Sequence, residues 1–174
     1  TTLFRSNEEP CSLWKQTTKN TGMEFLRSPG KHHLGLHPNA LDNYANLPSV
    51  KPRAMTLGDS QRPSLELFNS HISYLVNQFG LKRMFHQARA SAIREIAEGL
   101  AIETNVGTFE TKRVILALGQ SESPLMPAWA YKLRSKGIEV KHVFATDFNL
   151  NDYSGRDRVA IVGGGITAAH LATK

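Results

Sequence analysis

Near the C-terminal end an apolar run of Val159, Ala160, Ile161 and Val162 leads into Gly163, Gly164, Gly165, Ile166, Thr167 and Ala168, and then into the helix-forming Ala169, His170, Leu171 and Ala172. Glycine at the first and third positions of that stretch and a small residue at the sixth match the G-x-G-x-x-G/A dinucleotide fingerprint. Gly163 permits a tight turn off a buried strand, Gly165 lets the main chain approach a pyrophosphate, and Ala168 lets the following helix pack closely on the strand. The start of the helix then offers amides without intrahelical acceptors to the phosphates. Gly164, Ile166 and Thr167 complete the candidate cofactor-binding stretch. A dinucleotide-binding unit requires a whole strand-helix-strand. Because the sequence stops at Lys174, part-way through the helix, it is expected to be an internal piece of a longer protein.

Other residues with chemical potential are less specific. His32 and His33 are adjacent on an irregular segment, where neighbouring side chains point apart, and no cysteine or acid lies near them at ligand spacing, so no metal site is expected. Cys11 is the single cysteine, which rules out a disulfide framework within the chain and suits a reducing, cytoplasmic compartment. It reads as an incidental or buried thiol rather than a catalytic one. Trp129, behind Pro124 and Pro127, reads as a packing anchor rather than a surface for stacking a nicotinamide.

Composition sets the frame for these residues. Of 174 residues 40% are hydrophobic and 21% charged, as in soluble globular proteins. No apolar run approaches the roughly 18 residues needed to cross a membrane. The formal charge is +6, but the basic residues are scattered among acids without a stripe, which favours a solvated surface over a nucleic-acid footprint. A small-molecule substrate is the expected partner, and the oligomeric state is open. The first six residues, Thr1-Thr2-Leu3-Phe4-Arg5-Ser6, look like a translated sequencing adaptor and are set aside from the fold.

The elements that must position the fingerprint follow from periodicity. Residues 12–18 and 39–46 form short helix candidates, while residues 31–38 and the stretch punctuated by Pro48, Pro52, Gly58 and Pro63 read as loop. From Ser64, a fitting N-cap, Leu65, Phe68, Ile72, Leu75, Val76 and Phe79 recur at helical spacing until Gly80. Residues 87–96, 100–104 and 107–110 alternate as strands of an antiparallel meander, with turns at Glu98-Gly99 and Asn105-Val106-Gly107. Val114-Ile115-Leu116-Ala117-Leu118 is continuously apolar, which predicts a parallel strand buried on both faces and ended by Gly119. Then come a proline-marked crossing, a helix over 129–135 with Gly137 behind it, a short strand over 140–144, a polar loop, and the fingerprint strand.

In this order the chain resembles the flavoproteins with two dinucleotide-binding domains, in which a nicotinamide-binding domain is inserted into the flavin-binding one. It is similar in particular to flavin-dependent monooxygenases of the amine N-hydroxylase type and their FAD/NAD(P)-binding relatives. The residues that carry the narrower likeness are Phe25-Leu26-Arg27-Ser28-Pro29 with His32-His33-Leu34, Arg62-Pro63-Ser64-Leu65-Glu66-Leu67-Phe68, Pro127-Ala128-Trp129-Ala130, and residues 162–169. The likeness spans roughly residues 14–174 and implies an α/β, Rossmann-like fold with an antiparallel meander. Residues 7–122 would be part of an FAD-binding domain and 123–174 the start of an NAD(P)-binding domain.

That likeness implies an oxidoreductase in which NAD(P)H reduces FAD and the reduced flavin activates oxygen, the cofactors carrying the redox chemistry. It places Arg27 near the flavin, either stabilising negative charge on the reduced ring or bridging a surface loop. Gly119 would allow close approach of the flavin, or simply end its strand. The fingerprint for the FAD pyrophosphate would lie upstream of residue 7, and the residue that distinguishes NAD from NADP would lie about 20 positions beyond Gly163, past the last residue. Two other functions fit the residues: a pyridine nucleotide-disulfide reductase, which needs a cysteine pair this chain lacks, and a non-catalytic dinucleotide-binding redox sensor.

Overall fold

Helix and strand are mixed along the chain. A computed structural model describes residues 2–7, 9–28, 34–50, 56–57, 61–118, 124–153, 155 and 158–174. In chain order the elements are β1 (Leu3–Arg5), α1 (Ser12–Asn20), α2 (Ala40–Ala45), β2 (Thr56–Leu57), β3 (Arg62–Pro63), α3 (Leu65–Gln78), β4 (Phe85–Gln87), β5 (Ala90–Ile96), β6 (Gly99–Thr104), β7 (Gly107–Thr111), α4 (Ala128–Arg134) and α5 (Ile166–Leu171). The chain divides into two compact units. Unit 1 is Thr1–Pro10 with Glu24–Val114, and unit 2 is Cys11–Met23 with Ile115–Lys174.

Unit 1 is organised by α3. The Ser64 hydroxyl accepts the Leu67 amide at 3.1 Å, satisfying one of the first-turn donors. Beyond the other end Gly80 takes a left-handed conformation, and its amide donates to the Asn77 carbonyl. The helix buries Leu67, Phe68, His71, Ile72 and Val76. Burial of each large apolar side chain is worth about 1.5–3 kcal/mol relative to exposure. Compared with the face expected from spacing, the buried stripe is turned toward Leu67 and His71, and Phe79 is left exposed. Helix α2 lies beside it, with the Tyr44 ring 5.2 Å from His71 and 5.0 Å from Tyr74.

Strands β5, β6 and β7 form the expected antiparallel meander. At the first hairpin Gly99 has φ +140, and a Cβ there would run into the Thr111 carbonyl oxygen, so only glycine fits. At the second, the Thr104 hydroxyl donates to the Gly107 carbonyl at 2.7 Å and accepts the Val106 amide at 3.2 Å. The strand expected over 87–96 is split. The Ala88 amide donates to the Arg5 carbonyl and the Arg89 amide to Asn105 Oδ1, each at 2.7 Å, so consecutive residues are tied to different neighbours. The preceding residues form β4, which pairs in parallel with β1, so residues set aside in the sequence take part in a strand. Phe4 packs on Phe109 there, with ring centres 4.8 Å apart.

Unit 2 is tied together by polar groups. Asn20, 2% exposed, donates from Nδ2 to the Val143 and Ala145 carbonyls at 2.8 and 3.0 Å and accepts from Gln16 Nε2. Thr18 and Thr21 are buried with their hydroxyls on carbonyls one turn back. The predicted helix behind Pro127 is α4, anchored by the fully buried Ala130 and closed by left-handed Gly137, after which the Ile138 amide donates to the Leu133 carbonyl at 3.1 Å.

Three expected strands do not form. Residues 114–118 and 159–162 form no regular secondary structure, and among the described residues no strand pairs with either. Ile115 is 92% exposed, Leu118 83% and Val162 75%. A central parallel strand takes its hydrogen bonds and both covering layers from distant parts of a chain; an apolar run alone supplies neither. Residues 140–144 turn instead of extending, because His142 Nδ1 accepts the Phe144 amide at 3.1 Å and the Ala145 amide donates back to the His142 carbonyl.

Candidate nucleotide-binding site

The fingerprint residues lie together at the start of α5 in unit 2. Gly163 has φ +151, in the range that side-chain-bearing residues rarely adopt, and a Cβ there would sit 3.6 Å from Ala168 Cβ. The first glycine therefore turns the chain and the sixth residue, small as expected, closes on it. Gly165 is the N-cap, extended at φ −88 and ψ 172, with no side chain to cap the helix. The first intrahelical bond runs from the Ala169 amide to the Gly165 carbonyl at 3.2 Å, which leaves the amides of Ile166, Thr167 and Ala168 without acceptors inside the helix. A Cβ built on Gly164 or Gly165 meets nothing within 4 Å. The space in front of the turn is open, so packing within the described chain does not require glycine at either position.

Helix α5 is short, and its register within unit 2 is held from its C-terminal side. His170 Nε2 lies 3.3 Å from the Gly22 carbonyl, and a Cβ at Gly22 would come 3.3 Å from Lys174 Cε. Side-chain charge in unit 2 is tied down around residues 139–153. There Lys141 Nζ lies 3.2 Å from Glu139 and 3.4 Å from Asp152, and the hydrogen bond with Glu139 is the main cause raising the Lys141 pKa above its usual value. Burial, reinforced by the nearby charge of Glu139, raises the Tyr153 phenol.

Of the other candidates, Arg27 is an exposed residue of unit 1. It follows Leu26, whose amide donates to the Pro63 carbonyl at 2.9 Å, and Phe25, which forms a bridge with Ser64. Gly119, Pro29, His32, His33 and Gly58 lie outside the described residues. Trp129 is half exposed on α4, and Cys11 is a half-buried free thiol in a left-handed conformation at the head of α1. Among the described residues no group of three or more histidines, cysteines and acids is placed to hold a metal, and no helix is long and apolar enough to cross a membrane. Two features were not legible in the sequence. One is Asn20, whose carbonyl partners Val143 and Ala145 are more than a hundred residues away, and the other is a cleft lined by Tyr44, His71 and Tyr74. The helical spacing of His71 and Tyr74 was visible, but not the facing helix. No family model, curated protein or solved structure matches the chain.

Proposed function

We propose that this chain serves an FAD-dependent oxidoreductase that draws its electrons from NAD(P)H, with Gly163, Gly164, Gly165, Ile166, Thr167 and Ala168 as the nicotinamide dinucleotide turn. The observation that supports the reading is the pairing of Gly163, in a conformation favouring glycine, with open space in front of Gly164 and Gly165. Without side chains at Gly164 and Gly165 a pyrophosphate could approach the main chain there, and the amides of Ile166, Thr167 and Ala168 are the donors that would hold it. When bound, the nicotinamide supplies reducing equivalents and the flavin supplies the oxygen chemistry. The monooxygenase-like character, with Arg27 and Gly119 beside the flavin, extends this reading from the resemblance over residues 14–174.

Gly165→Val tests it. The backbone at this position is in the extended region that valine accepts, and its Cβ meets no atom within 4 Å, so the variant keeps the local fold. The added side chain occupies the space that a pyrophosphate would enter. Titration with NADPH, followed by nicotinamide fluorescence, should show saturable binding to the wild-type chain and binding about tenfold or more weaker to the variant, a loss of roughly 1.4 kcal/mol or more. Equal affinity for both chains, or no binding by the wild type, overturns the assignment.

A further inference from the structure

Unit 1 contains a concave surface that shares no residue with the fingerprint. Helix α2 contributes Ala40, Asn43 and Tyr44, followed by Leu47, and α3 contributes His71, Tyr74, Leu75 and Gln78. Both sets step by three and four residues, so each is a single helical face. Facing helices ordinarily interdigitate to crystal-like density, yet here they enclose a half-open cleft of about 260 Å³. The segment Gly35-Leu36-His37 forms its third wall, brought in so closely that a Cβ on Gly35 would lie 2.6 Å from Ala40 Cβ. His71, 1% exposed, lies in the wall, with its ring against Tyr44.

The lining narrows the occupant. Tyrosine rings stand on both helices, and three exposed large apolar residues, Leu36 (94% exposed), Tyr74 and Phe79, gather around this one cleft. Such a cluster at a concavity marks a binding groove more than scattered surface residues do. The polar lining consists of the Asn43 and Gln78 amides, the tyrosine hydroxyls and the histidines, and among the described residues no lysine, arginine, aspartate or glutamate takes part. The site therefore offers stacking surface and hydrogen-bonding side chains, but no lysine or arginine to pair with a buried anion and no carboxylate to pair with a buried cation. Its volume falls below the roughly 300–1,000 Å³ of drug-sized pockets. We infer that the cleft between α2 and α3 binds an uncharged aromatic small molecule of one or two rings, stacked on Tyr44 or Tyr74 and oriented by the Asn43 and Gln78 amides.

The probe is indole, titrated into the 174-residue chain by isothermal calorimetry, with indole-3-acetate as the charged counterpart. Indole should bind saturably, and indole-3-acetate about tenfold or more weakly, because no lysine or arginine lines the cleft to offset the desolvation of its carboxylate. Asn43→Phe, at an exposed α2 position, fills the cleft, and Tyr74→Ala removes a stacking surface at its rim; each should weaken indole binding about five- to tenfold. Circular dichroism checks both variants, and if Asn43→Phe does not fold, Tyr74→Ala decides. Absence of saturable indole binding, equal affinity for the two probes, or unchanged affinity in the folded variants overturns the inference.

Discussion

Unit 1 and unit 2 put similar apolar side chains to different use. In unit 1, Leu67, Phe68, Ile72 and Val76 are packed away, with Leu26, Leu41 and Ile102 also buried. In unit 2 Ala130 is the one buried apolar residue among those described, while Ile115, Leu116, Leu118 and Val162 face outward and Thr18, Asn20 and Thr21 are inside. Unit 1 is held by apolar burial and unit 2 by hydrogen bonds to carbonyls. The difference teaches that a hydrophobic run becomes core only where the chain supplies its covering layer. A helix brings its own backbone hydrogen bonds and needs one neighbour, whereas a central strand needs partners on both edges and layers on both faces.

The largest expected effect comes from comparing a packed residue with an uncovered one. Phe68→Ala should destabilise the chain by about 3–5 kcal/mol, the cost of lost burial plus the cavity left behind. Leu116→Ala should change stability by no more than about 0.5 kcal/mol. Chemical denaturation of both variants checks this, and comparable losses would show that residues 114–118 are covered after all.

Unit 2 should be most sensitive at Asn20. Asn20→Ala removes three hydrogen bonds and strands the Val143 and Ala145 carbonyls beside an apolar methyl, at a cost of about 1–3 kcal/mol. Limited proteolysis should then cut faster between residues 140 and 150 while unit 1 stays resistant; an unchanged pattern would mean that Asn20 does not tie the unit together.

Within unit 1, Ser64→Ala should cost less than Phe68→Ala, about 0.5–2 kcal/mol, because it leaves the apolar face of α3 intact and removes only the cap that holds the Leu67 amide. A loss as large as that of Phe68→Ala would mean that the cap, not burial, holds unit 1.

The same contrast explains what could be read from the sequence. Helix α3, its Ser64 cap, the Gly80 stop, α4 with Gly137 behind it, and the meander with glycines at both hairpins are encoded by residues close together in the chain. The strands expected at 114–118 and 159–162 rest on apolar runs that end at glycines, and such a run does not show whether a partner lies alongside. The β1–β4 pairing and the reach of Asn20 to Val143 bring together residues far apart in the chain, and no local pattern announces either. At the candidate site, the turn at Gly163 and its closeness to Ala168 follow from residue type. The strand expected to support them does not form, and the α2–α3 cleft needed two facing helices to become visible.

Hydrogen–deuterium exchange, recorded without and with NADPH, tests the central claim most directly. Without nucleotide, amides of α3 and β5–β7 should be protected, while residues 114–118 and 159–168 exchange rapidly. With NADPH, protection should appear at Ile166, Thr167 and Ala168 and leave α3 unchanged, as expected if these amides take the pyrophosphate. Protection of residues 159–162 as strong as that of α3 before nucleotide is added, or a nucleotide effect that bypasses the fingerprint, would contradict the account.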